Sequence, residues 1–125
     1  MALSSTRDER GFIRLTLDGP WPAVDQLITW YKSLGDIRSI RWLLIDMRAA
    51  TGPLPKFPDI RDTIGAFDAD SHVARERKRA VIVANDVQFG VARSFQAIVP
   101  GQMEVFRDEA AAIAWLIAGA DQAPH

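Results

Sequence analysis

Residues 42–45 and 80–83 are two short runs, "WLLI" and "AVIV", in which every residue is apolar. A strand with one face in water alternates apolar and polar residues, whereas a strand covered on both faces does not need to. Both runs are too short for a buried helix and both end in polar residues, Asp46 in one case and Asn85–Asp86 in the other. They predict central strands of a sheet with helices packed on it.

The surrounding segments supply those helices and the sheet's edges. Residues 3–7 and 12–18 predict two strands. In the second, Phe12, Arg14, Thr16 and Asp18 alternate with Ile13, Leu15 and Leu17. "DERG" between them predicts a turn in which Gly11 can take positive φ, so the pair forms an antiparallel hairpin. Val24, Leu27, Ile28, Tyr31 and Leu34 recur at helical spacing, with Pro22 suited to a first turn and Gly35 to a C-cap. A helix over 22–34 follows. Pro53, Pro55 and Pro58 stiffen the next connection, and Pro58 opens a second helix with Ile60, Ile64 and Phe67 as its inward stripe. A third helix is expected over 89–99, and a short strand within 101–106. A final helix should start after an Asp108 cap and run to Gly119. The order ββαβαβαβα predicts one α/β domain over 1–119. It would hold about five strands, first a hairpin and then parallel strands, and about four helices. Residues 120–125 read as a disordered tail.

Composition removes several function classes. A chain of 125 residues is the length of one ordinary domain. It has no cysteine, which excludes disulfides, thiol nucleophiles and thiolate metal sites. The formal charge of -1 argues against a nucleic-acid binder. No apolar run approaches a membrane span and the start has no apolar leader core, so a cytoplasmic protein is expected.

The stretches "GFIRLTLDG", "WLLIDMR", "RAVIVANDVQFGVARSF" and "VFRDEAAAIAWL" together resemble the SpoIIAA-like branch of the STAS superfamily. This is the fold of bacterial anti-sigma-factor antagonists, and some of its members are likened to the CRAL-TRIO lipid-transfer domain. The similarity spans residues 10–118 and rests on fold-bearing patterns rather than a catalytic motif. In the regulatory members a strand similar to residues 43–46 leads into an Asp-Ser pair at the next helix start, where a partner kinase phosphorylates the serine. Here no serine lies between Asp46 and Ile60. Thr51 is the one hydroxyl in that interval, and so the one candidate phosphoacceptor, but a turn at Thr51–Gly52 is the simpler account of it. The resemblance implies a regulatory module without the serine switch.

Individual residues point the same way. Asp46, read as the last residue of its strand, can serve as a base or, more simply, cap amides and pair with Arg48. Asn85 and Asp86 read as a helix cap, the carboxylate disfavouring a phosphate there. His72 is an isolated solvated histidine that cannot build a common zinc site, and "RERKR" over 75–79 reads as a solvated basic helix face. No enzymatic constellation, metal site or cofactor loop is present in the sequence pattern. Trp42 and Trp115 belong to the core. Trp21 precedes the first helix and Trp30 lies beside its apolar stripe, while Phe57 and Phe67 flank the second. They either widen the core or form a contact surface.

Two functions follow. One is a non-catalytic interaction module that contacts a protein partner or a second copy through the 47–60 segment and second helix. Arg48, Thr51, Lys56 and Arg61 would be its polar residues. The other is a binder of a small apolar or amphipathic, lipid-like ligand in a cavity lined by Trp30, Phe57 and Phe67. A homodimer is compatible with both.

Overall fold

The computed structural model describes residues 2–21, 23–33, 41–53, 56–67 and 75–121. Strands β1 (Ala2–Arg7) and β2 (Ile13–Pro20) form the expected antiparallel hairpin. Helix α1 (Val24–Lys32) leads to β3 (Trp42–Thr51), α2 (Phe57–Phe67) to β4 (Lys78–Ile82), and α3 (Asp86–Gln96) to β5 (Gln102–Phe106). Helix α4 (Glu109–Asp121) closes the described chain, two residues longer than the periodicity suggests. Expectations placed on Pro22, Leu34, Gly35, Pro55, His72 and residues 122–125 lie outside the described residues, as do the side chains of Tyr31, Ile64, Phe57 and Phe67.

The five strands lie in chain order, β1-β2-β3-β4-β5, with β2 to β5 mutually parallel. This is the mixed sheet of five strands, with four helices among the described residues, that the pattern predicts. The alternation of side chains assigns the two faces. Leu17, Met47, Val81, Val83 and Met103 point to one face, where they pack with Ala92 of α3. Ile13, Leu15 and Leu43 point the same way, under Trp30 of α1. Phe12, Leu44, Ala80 and Ile82 point to the other face and bury Ala112 and Leu116 of α4. Trp42 and Trp115 pack against this second cluster, as expected of core residues. Right-handed crossovers between sequential strands place α1, α2 and α3 on one side, and α4 crosses to the other.

Strand β3 differs from expectation. The sequence suggests that it ends at Asp46, but it continues to Thr51, pairing Asp18, Gly19 and Pro20 with Ala49, Ala50 and Thr51. Between Thr16↔Asp46 and Asp18↔Ala49 the register shifts, so β3 holds one extra residue, a bulge. This explains why Met47 and Ala50, three apart, reach the same core cluster. The turn follows at Gly52, which has φ +77°.

Gln88 holds the bulged region in place. It is 3% exposed, and its Oε1 accepts the Ala84 amide at 2.7 Å. Its Nε2 donates to the carbonyls of Arg48 (3.3 Å) and Ala50 (3.2 Å). Its own amide donates to Oδ1 of Asn85, which is the N-cap of α3. The capping reading therefore holds for Asn85. Asp86 is instead the first helical residue and pairs with Arg107. Helix α3 starts a turn earlier than the apolar spacing indicates, because the cap and Gln88 set its origin.

The basic run also needs correction. Arg75 and Glu76 are exposed, Glu76 pairing with Arg41, but Arg77, Lys78 and Arg79 are buried at the start of β4. Long stems let such residues enter the interior, and the charged ends of Lys78 and Arg79 reach carbonyl groups. Lys78 Nζ donates to the Trp115 carbonyl at 2.6 Å and lies 4.1 Å from the Trp115 ring centroid. Arg79 donates to the Pro100 carbonyl at 2.8 Å. A buried strand start, rather than a solvated helix face, is what this run encodes.

Replacing Gln88 by leucine leaves the Ala84 amide and two β3 carbonyls without their partner. Each buried unpaired group costs about 1–3 kcal/mol, and water can reach some of them, so a loss of about 2 kcal/mol is expected. A urea midpoint lowered at unchanged slope would show it. An unchanged midpoint would mean that Gln88 does not hold the bulge.

Candidate functional site

The face of the sheet that carries α4 is apolar over β4 and around Leu44 of β3, and polar over β1, the Arg14–Thr16 part of β2 and β3 from Asp46. The hairpin register places Ser4 beside Thr16 and Thr6 beside Arg14 on this face. Arg14 alternates with the core residues Ile13 and Leu15, so it shares the face of Phe12 and Leu44 but lies beyond their cluster. In this polar part, Arg14 from β2, Asp46 and Arg48 from β3, and Glu109 from α4 meet.

Asp46 is the centre of the group, with its side chain 10% exposed. Its Oδ1 accepts the Arg48 amide at 3.1 Å and Arg48 Nε at 3.0 Å. Its Oδ2 accepts Arg48 Nη2 at 2.8 Å and Arg14 Nη2 at 3.0 Å. The bulge supplies the geometry: it turns the Arg48 amide toward a side chain two residues back. Four bonds fill the acceptor capacity of a carboxylate. Both guanidinium Nη2 atoms also donate to one oxygen of Glu109, Oε1, at 2.5 Å from Arg14 and 3.0 Å from Arg48. Glu109 lies in the first turn of α4, where a negative charge favours the helix dipole. Asp108 caps the same helix by accepting the Ala111 amide at 3.0 Å, as the sequence predicts.

The electrostatics oppose acid–base chemistry. Burial alone would push the Asp46 carboxyl up, but the hydrogen bonds from Arg48 and the charges of Arg48 and Arg14 outweigh it and hold the carboxyl below its ordinary value. The Arg14 hydrogen bond does the same for Glu109. Both remain ionised at neutral pH and act as anchors for arginine. Among the described residues no group of three or more histidines and carboxylates is placed to hold a metal ion.

The residues expected to form one surface occupy several places. Trp21 is half-buried against the helical face core, its ring 6.3 Å from that of Phe95. Trp30 is half-buried under α1, and it borders a shallow open depression with Asp25, Gln26, Thr29 and Ser33. Among the described residues its lining comes from α1 and the residue that follows it. Lys56 and Arg61 are exposed before and on α2, and Thr51 is exposed at the end of β3. Arg48 is exposed on the sheet's other face, committed to Asp46 and Glu109. The pairing of Asp46 with Arg48 was readable from their adjacency. Arg14, Glu109 and Gln88 were missed. Arg14 gave a weak signal as a cation in an alternating strand, but Glu109 lies 95 positions away from it and gave none.

This arrangement, a hairpin-led mixed sheet with three helices on one face and a terminal helix on the other, defines a SpoIIAA-like α/β fold. It is similar to the crystal structure of an uncharacterised protein of the DUF3478 family with a SpoIIAA-like fold from Shewanella loihica PV-4. The two share 20% identity over 92% of each chain, with a TM-score of 0.60. No protein-family model and no curated protein matches the chain. No helix among the described residues is long and apolar enough to cross a membrane.

The cluster has a definite pH signature. Carboxyls whose folded values lie below their unfolded ones contribute stability above about pH 4, and lose it as pH falls through the folded values. Asp46→Asn should therefore cost about 2 kcal/mol at pH 7. This is less than the about 3–5 kcal/mol of a fully buried pair, because Arg48 and Glu109 face solvent. Wild type and variant should converge below the folded values of these carboxyls. Urea unfolding at pH 7 and at successively lower pH would check this, and equal stabilities at pH 7 would show that the Asp46 charge contributes no net stability.

Proposed function

We propose that the chain is a non-catalytic, cytoplasmic protein-interaction module of STAS-like type that works without a serine phosphoswitch. The observation that carries this reading is the state of its carboxylates. Asp46 and Glu109 are neutralised by arginines, and Asp86 is engaged with Arg107. What remains available is surface. Thr51, Gly52 and Pro53 are exposed after β3, and Lys56, Asp59, Arg61 and Asp62 are exposed at the start of α2. The resemblance to regulatory STAS domains, whose partner kinase acts just after the equivalent strand, supports this segment as the contact surface. Trp21 and Trp30 pack on the helix-bearing face and Arg48 lies on the opposite one, so the proposed surface is the segment from Thr51 to the start of α2. Thr51 is the exposed hydroxyl of this segment.

A small apolar or amphipathic ligand is the second reading, favoured by Trp30 at the depression along α1. That depression is open to solvent and would enclose little of an acyl chain. A partner protein or a second copy of the chain is the better fit.

Native mass spectrometry of protein purified from its own host, compared with denaturing conditions, separates the two. The interaction reading expects a homodimer or hetero-complex without a small-molecule mass. A small-molecule mass lost on denaturation would instead establish the ligand reading. Lys56→Glu together with Arg61→Glu should weaken the complex at least tenfold, since each reversal places like charge against the partner's matching surface. Undiminished assembly by the double variant would exclude this surface.

A further inference from the structure

We infer that Arg14, Arg48 and Asp46 form a built receptor for a carboxylate, and that Glu109 occupies it as an internal stand-in for an external carboxylate. The two acids of the cluster are held differently. Asp46 is buried and takes four hydrogen bonds through both oxygens. Glu109 has a side chain 40% exposed and takes both of its bonds through Oε1. Its Oε2 receives no hydrogen bond among the described residues. Asp46 is therefore the fixture, and Glu109 is the member that can leave.

The receptor also has donors that Glu109 does not use. Arg14 makes its hydrogen bonds through Nη2, and among the described residues its Nε and Nη1 make none. An arginine fork is suited to bind both oxygens of one carboxylate in parallel, which Glu109 does not do here. An incoming carboxylate approaching over the exposed hydroxyl-bearing strands β1 and β2 can engage that fork in full. Charge decides the ligand class. Two guanidinium cations and one carboxylate leave a single positive charge facing the exchangeable position. A monoanionic carboxylate balances it, whereas a phosphate dianion leaves an excess negative charge beside Asp46. The hydrogen bonds of Arg48 to Asp46, through both its backbone and its side chain, hold the site ready when Glu109 departs. This site lies on the α4 face, apart from Lys56 and Arg61, so its failure would leave the α2 surface untouched.

The test uses the full chain labelled with ¹⁵N and follows the arginine Nε–Hε signals in a titration with acetate, with chloride at matched ionic strength as the control. Removing the internal competitor, as in Glu109→Ala, raises the apparent affinity by the inverse of the fraction of time the site is open. This is on the order of tenfold for a site open about a tenth of the time. Glu109→Gln keeps the side chain's size and should show a gain in the same direction, so the reading does not depend on one variant. Saturable shifts in both variants, at least several-fold tighter than in wild type and lost when Arg14→Ala is added, are the expected result. Equal affinity in wild type and variants, or shifts that chloride reproduces, would overturn the inference and leave the cluster a structural clasp. Tighter binding of inorganic phosphate than acetate at pH 7 would overturn the assignment to a carboxylate.

Discussion

One extra residue in β3 organises much of this molecule. The bulge after Asp46 lets Met47 and Ala50 reach the same core, which a regular strand would forbid because side chains alternate. It turns the Arg48 amide toward the Asp46 carboxylate, and it leaves carbonyls at Arg48 and Ala50 that Gln88 satisfies from α3. The charged cluster on one face and the helical core on the other are thus set by the same local irregularity. A polar side chain buried as deeply as Gln88 is tolerated because its amide group is hydrogen-bonded through both its oxygen and its nitrogen.

The two faces of the sheet have different uses. The face under α1 to α3 is apolar from Leu15 to Met103. The opposite face changes character across its width. Beneath α4 it is packed with Leu44, Ala80 and Ile82, and over the hairpin it presents Ser4, Thr6 and Thr16. The ion cluster marks the border between the two. A single terminal helix covers part of a five-stranded sheet, and the sequence accommodates the remainder by making β1 and the outward side of β2 hydrophilic.

Most of the fold was legible because its signals are local. Continuous apolar runs announced β3 and β4, alternation announced β2, and helical spacing with Asn85 and Asp108 announced the helices that follow. The failures share a physical cause. The length of β3 depends on what β2 offers to pair with, and the bulge depends on partners in α3, so neither is written in residues 43–52 alone. The charge of "RKR" over 77–79 suggested water, yet long stems and carbonyl acceptors let those residues enter the interior. The site was legible only in its adjacent pair, Asp46 and Arg48. Arg14 and Glu109 join it through the topology, which no short window of sequence contains.

The order of the strands has a consequence for how the chain reaches this structure. Each strand pairs with the one before it, so the sheet can grow by successive short closures as β1 to β5 are added. The contact between Arg14 and Glu109 spans 95 positions and requires α4 to have crossed to the far face. Its separation in sequence favours late closure, after the sheet that carries it. A contact absent from the folding transition state governs how fast the native state opens rather than how fast it forms. Glu109 is in that position: stopped-flow traces of a variant lacking it should differ from wild type in the unfolding limb and coincide in the folding limb. The last helix thereby joins β2 and β3 through a single carboxylate.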